Sequence, residues 1–120
     1  MASLWFLGAV QIGTAILLPI PGALPLFGLR APPTELSAFV YFCASLYAAV
    51  GLLYVLGALR AEYRKAALIV ACFDVVLESA SVWLGLPAMG VPTWLSALFC
   101  LALLAPGAGC LAALLRRRSA

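Results

Sequence analysis

From Ala66 to Leu115 the chain carries only two formally charged residues, Asp74 and Glu78. Two further uncharged runs, Met1 to Leu29 and Leu36 to Leu59, precede it. A membrane-spanning helix needs ~20 consecutive apolar residues, and each run is long enough to supply one. Of the 120 residues 67% are hydrophobic and 9% charged, with a mean hydropathy of +1.18, whereas soluble domains carry about 25% charged residues. A soluble core cannot absorb so much apolar chain. The stretch after Glu78 is too long for one helix, and Gly85-Leu86-Pro87 with Gly90-Val91-Pro92 divides it. The expected fold is therefore all-α: one integral membrane domain over residues 1–120, a four-transmembrane-helix bundle with spans at roughly 4–27, 36–59, 66–86 and 93–115.

Orientation follows from the basic residues, because cytoplasmic flanks carry the excess of Lys and Arg. Arg60, Arg64, Lys65 and the Arg116 to Arg118 run lie on one side of this layout, against Arg30 on the other. Four spans then place both termini in the cytoplasm. Trp5 falls near the inner interface and Trp83 and Trp94 near the outer one, where amphipathic rings favour the headgroup level. The first run lacks a positively charged leading segment and a clear cleavage site, so it reads as a span and not as a signal peptide. Pro19, Pro21 and Pro25 break its outer end, since each removes a backbone donor and clashes with the preceding turn. The freed backbone must find protein or water. Either this end forms a lid or entrance, or the helix stops near Leu18 and an extended interfacial loop follows. The basic loop Arg60 to Lys65 and the basic tail set topology and attract the anionic leaflet. Membrane lipids are the expected partners of these charges, and nucleic acid is not.

The chain contains no histidine, which removes the commonest general base and metal ligand. Cys43, Cys72, Cys100 and Cys110 all lie within spans and show no C-x-x-C spacing, so small apolar packing is their expected role. Ser-His-Asp and Cys-His catalysis, histidine-ligated haem and the usual zinc sites are excluded. No phosphate-binding glycine pattern occurs. Neither a metal nor a cofactor is expected; the available chemistry is that of carboxylates, hydroxyls and amides.

A carboxylate within a span costs about 2.5 kcal/mol or more at the centre, so an ionisable residue there is a functional hypothesis by default. Asp74 and Glu78 stand one helical turn apart and share a face. In the third span Ala67, Ala71, Asp74, Glu78, Ser81 and Gly85 recur at intervals of three and four, a continuous small and polar seam. Ala44, Tyr47, Gly51, Tyr54 and Ala58 keep the same rhythm in the second. Small residues let membrane helices approach closely and polar ones bond across the interface, so the two seams are expected to face each other. Counting 1.5 Å per residue puts Asp74 roughly 12 Å and Glu78 roughly 18 Å from the cytoplasmic boundary, astride the midplane. Gln11 lies near the level of Asp74, and Tyr47 reaches a similar depth from the opposite side. A cluster of Gln11, Tyr47, Asp74 and Glu78 follows, with Tyr54 below it toward the cytoplasm. The fourth span, offering Thr93, Ser96 and two cysteines, reads as a wall.

Two carboxylates close together in a poor dielectric cannot both ionise cheaply, so they form a proton donor and acceptor set. Three roles suit such a set. The first is a cofactor-independent isomerase or cyclase acting on a lipophilic small molecule of isoprenoid or sterol-like kind. Asp74, Glu78 and Tyr47 would be its catalytic residues. Gln11, Tyr54, Phe42 and Phe73 would line the substrate, the aromatic faces stabilising a carbocation. The second is a small proton- or cation-coupled transporter working as a homo-oligomer, since four short spans enclose little volume. Small multidrug exporters have this size, but their essential carboxylate lies in the first span, where this chain has Gln11. The third is an assembly or accessory protein whose carboxylates bond to Gln11, Tyr47 or a partner's helix and do no chemistry.

Four short spans, with Gly51-Leu52-Leu53 and Gly57-Ala58-Leu59-Arg60 closing the second before a short basic loop, resemble the DoxX-like group of small membrane proteins. The resemblance implies a four-helix bundle. It assigns no reaction and says nothing of Asp74 or Glu78.

Overall fold

The computed structural model describes residues 1–26, 28–30 and 33–118, with the backbone alone for Arg118. The described residues are helical throughout their regular structure, with no strand among them. The elements are α1 (Ala2–Leu17), a four-residue α2 (Ala23–Leu26), a short 3-10 turn (Thr34–Leu36), α3 (Ser37–Leu59), α4 (Ala61–Ala88) and α5 (Thr93–Arg118). The segments Thr34–Leu59, Ala61–Ala88 and Thr93–Arg117 are each long and apolar enough to cross a membrane.

The first expected span is not one helix. α1 ends at Leu17, because Pro19 lacks the N–H that the next turn needs, and the N–H of Leu18 closes the helix on the Thr14 carbonyl at 2.9 Å. The helix stops near Leu18 as one of the two readings had it. The segment beyond is not extended throughout, since it turns at Gly22 (φ 79°) into α2. Phe27, the expected end of that span, lies outside the described residues.

Two other boundaries differ from the sequence reading. The basic stretch Arg60 to Lys65 is not a loop. Only Arg60 is extended (φ −120°, ψ 128°), and the following residues form the first turns of α4. The guanidinium Nε of Arg64 donates to the Gly57 carbonyl at 3.3 Å, placing a cation on the carbonyl end of α3 where the helix dipole favours it. At the far end α4 runs through Pro87 to Ala88 before it stops. There the N–H of Val91 bonds to the Leu86 carbonyl (3.0 Å) and that of Gly90 to Pro87 (3.1 Å), with Gly90 at φ 88°. This is a Schellman termination, in which a glycine takes the left-handed position. Val91 tucks in behind it, buried.

Helices α3 and α4 form an antiparallel hairpin, since Gly57 faces Ala67 and Tyr54 reaches Asp74. Helix α1 runs antiparallel along α3, with Leu4 near Gly57, Gly8 near Val55 and Gln11 near Gly51. Helix α5 covers the other side of α4, where Val75 enters the space left by Gly107 and the Cys100 thiol donates to the Ser79 carbonyl at 3.4 Å. Ser3 of α1 meets Gly109 of α5, so each of the four long elements touches at least two of the others. The shared core is Leu4, Leu7, Tyr54, Ala58, Ala67, Leu68, Ala71, Val75, Leu103 and Cys110.

The α3 seam is buried at Ala44, Gly51, Tyr54 and Ala58. In α4 the expected seam holds at Ala67, at Ala71 and at Asp74, which meets Tyr54 of α3, but not at Ser81. Ser81 is exposed, while Val75 and Ser79 are buried against α5. A helix gripped on two sides buries two stripes, and spacing on a single seam describes only one of them. At Gly57 an added Cβ would collide with that of Ala67. Gly57→Ala is therefore expected to cost about 1–3 kcal/mol through overpacking, read as an earlier unfolding midpoint in detergent.

Candidate functional site

Asp74 is the centre of the polar cluster inside the helices. Its Oδ2 accepts from the Tyr54 hydroxyl of α3 at 2.6 Å and from the Gln11 amide Nε2 of α1 at 2.9 Å. Tyr54 is 0% exposed and Gln11 1%. The two bonds tie three helices together at one oxygen.

The close approach of α1 makes this reach possible. An added Cβ at Gly51 would meet Gln11 and Ile12 at 3.0 and 2.8 Å, and one at Gly8 would meet Val55 at 3.0 Å. Gly51 stood in the expected seam. Gly8 did not, and its signal was its place three residues before Gln11, on the same face.

Glu78 sits one turn further along α4, half-buried, with Gln11 and Tyr47 within polar reach of its carboxylate. Its Oε2 is buried and has no hydrogen-bond partner, and the same holds for Oε1 of Gln11. Buried polar atoms are normally satisfied, and each exception asks for an explanation. Both atoms are acceptors, so what would satisfy them is a donor. At Glu78 that donor can be its own proton, an external cation or an N–H group; at Gln11 it must come from another group.

Gln11, Tyr54 and Asp74 are thus brought together as one bonded set, with Glu78 and Tyr47 beside it. Tyr54, expected below the cluster, instead holds its central carboxylate. Phe42 and Phe73 are not in the cluster. They are 59% and 71% exposed on the outer faces of α3 and α4; Phe73 stands two residues from buried Ala71 and from buried Val75, about 200° around the helix from each. The carbocation-lining role expected of them has no support in this geometry.

No group of three or more Cys, Asp or Glu suited to a metal occurs among the described residues. All four cysteines are free, and Cys110 is buried. Two hollows lie at the ends of the molecule. One, about 300 Å³, is bounded by the proline-rich segment from Leu18 to Pro25 and the start of α3. The other, about 360 Å³, is bounded by Lys65, Ile69, Leu114 and Arg117. Neither touches Asp74 or Glu78.

Comparisons with known protein families, with curated proteins and with solved structures gave no match.

Proposed function

We propose that the chain is a four-span membrane bundle with both termini in the cytoplasm, and that it works as a homo-oligomeric carrier exchanging a proton for a lipophilic organic cation at Asp74 and Glu78. The observation that carries this reading is the pair of buried, unpartnered acceptors, Gln11 Oε1 and Glu78 Oε2. Asp74 is fixed by two donors. Glu78 is free to take either occupant, and the two occupants compete for the same oxygens. Intramembrane carboxylates that face a bundle interior are typical of proton and ion pathways.

The four-span layout is supported by the packing. α1 with the Leu18–Leu26 segment runs beside three helices of crossing length, and Ser3 of α1 touches Gly109 near the end of α5. The basic residues Lys65 and Arg117 share one hollow, which favours that end as cytoplasmic. A homo-oligomer belongs to this reading because four short spans enclose little volume. Packing of small membrane proteins against copies of themselves is a common route to a closed site.

A second reading, acid/base isomerisation of a lipophilic substrate, draws support from Tyr47 beside Glu78. Phe42 and Phe73 add nothing to it, since both lie on outer faces.

The test is uptake of ethidium, a lipophilic organic cation, into proteoliposomes bearing an imposed pH gradient with an acidic interior. Carrier action gives accumulation that stops when the gradient is collapsed and is missing from empty liposomes. Accumulation that ignores the gradient would leave the carrier reading without its proton.

A further inference from the structure

Lys65 and Arg117 hold the mouth of a hollow of about 360 Å³ whose other bounding side chains are Ile69 and Leu114. Two helices supply it. Lys65 and Ile69 stand one turn apart on α4, and Leu114 and Arg117 one turn apart on α5. On each helix the cation is the residue nearer the end and the apolar one lies a turn deeper, so the hollow is graded from charged to apolar along the helix axes. Lys65 and Arg117 are exposed, Ile69 is exposed and Leu114 half-buried.

We infer that this hollow is a binding site for one anionic phospholipid, the phosphate held by Lys65 and Arg117 and the first part of an acyl chain lying over Ile69 and Leu114. The charge complementarity selects the sign, and the apolar floor selects an amphiphile over a free anion. Lys offers a point charge and Arg a planar fork suited to phosphate oxygens. Basic pockets between membrane helices on the cytoplasmic side are known to take anionic headgroups. The site lies where α4 and α5 meet, so its occupant would also clamp the end of that helix pair. Nothing in it depends on what Asp74 and Glu78 do.

The experiment uses the full chain in a zwitterionic detergent, titrated with phosphatidylglycerol, phosphatidylcholine or glycerol phosphate. Bound lipid is counted by native mass spectrometry and stability followed by thermal unfolding. Phosphatidylglycerol is expected to bind one per chain and raise the unfolding temperature, while phosphatidylcholine and glycerol phosphate do neither. Lys65→Gln with Arg117→Gln is expected to weaken phosphatidylglycerol binding about 30-fold. Arg60→Gln, which removes a cation from the same end outside the hollow, is expected to leave it unchanged. Equal binding of phosphatidylcholine, a response to glycerol phosphate alone, or an equal loss in Arg60→Gln would overturn the site. Should the double variant fold poorly, the single variants Lys65→Gln and Arg117→Gln decide, since undiminished binding in both would also overturn it.

Discussion

Asp74→Ala is expected to lower the unfolding free energy by about 2–5 kcal/mol, because it strands two buried donors at about 1–3 kcal/mol each. The donors are the Tyr54 hydroxyl and the Gln11 amide, at positions 0% and 1% exposed. Removing a half-buried charge offsets part of that loss, which keeps the figure below the simple upper sum. Domains are stable by only about 5–15 kcal/mol, so the variant should give visibly less folded protein. Loss of a contact and stranding of its partners have different remedies. Asp74→Leu combined with Tyr54→Phe and Gln11→Leu removes all three polar groups at once, and matched apolar replacement of both ends of a bond is close to neutral. The triple variant should therefore recover most of the stability that Asp74→Ala loses. Unfolding titrations in mixed micelles measure both. An Asp74→Ala variant as stable as the wild type would mean that the three-helix bond network contributes nothing to the fold.

Glu78→Gln should act in the opposite sense on stability and abolish activity. A glutamine is isosteric and brings an N–H donor to the place where Glu78 Oε2 and Gln11 Oε1 now stand without one. Satisfying a buried acceptor contributes about 1 kcal/mol, so the variant is expected to unfold slightly later than the wild type. It cannot exchange a proton. On the carrier reading, ethidium uptake falls to the level of empty liposomes, and the proton released when ethidium binds to the detergent-solubilised wild type, seen with an indicator dye in weak buffer, disappears. Retained uptake in a stable Glu78→Gln protein would sink the assignment of the coupling role to this residue. A protein that is stabilised yet inactive would separate a functional carboxylate from a structural one, which Asp74→Ala alone cannot do.

Much of this arrangement was legible in the residues. The α3 seam, its facing of α4 and the meeting of Gln11 with Asp74 follow from helical spacing and depth counting. Both depend on the 3.6-residue repeat, which holds over α3 without interruption. The places where the reading slipped share a cause. A seam describes one stripe of a helix, and α4 carries two, so Ser81 was assigned to a buried face although it is exposed, while Val75 and Ser79 form a second buried stripe against α5. Phe42 and Phe73 were assigned to the substrate for their aromatic faces, and residue type says nothing of azimuth. The Arg60 to Lys65 stretch reads as a loop by its charge, but charge is no obstacle to helix outside an apolar slab. Glu, Arg and Lys are good helix formers, and the turn needs only one extended residue. The two unpartnered acceptors could not be seen at all, because satisfaction of a side-chain atom is a property of three helices in place and not of any one of them.

On the proposed four-span reading, the shortness of α1 has a consequence for the membrane around it. Sixteen residues rise about 24 Å, while a hydrocarbon core is ~30 Å thick. Hydrophobic mismatch of this kind is relieved by local thinning of the bilayer or by tilt, and α4, at 28 residues, has length to spare. The proline-rich segment after Leu17 then lies where acyl chains would otherwise stand, and headgroups and water are drawn inward on that flank. Gln11 is six residues from the end of α1, about 9 Å along the axis. Measured from that side, the Asp74 and Glu78 cluster is closer to water than its position in α4 suggests, and a protein so built should partition toward the thinner of two coexisting bilayers.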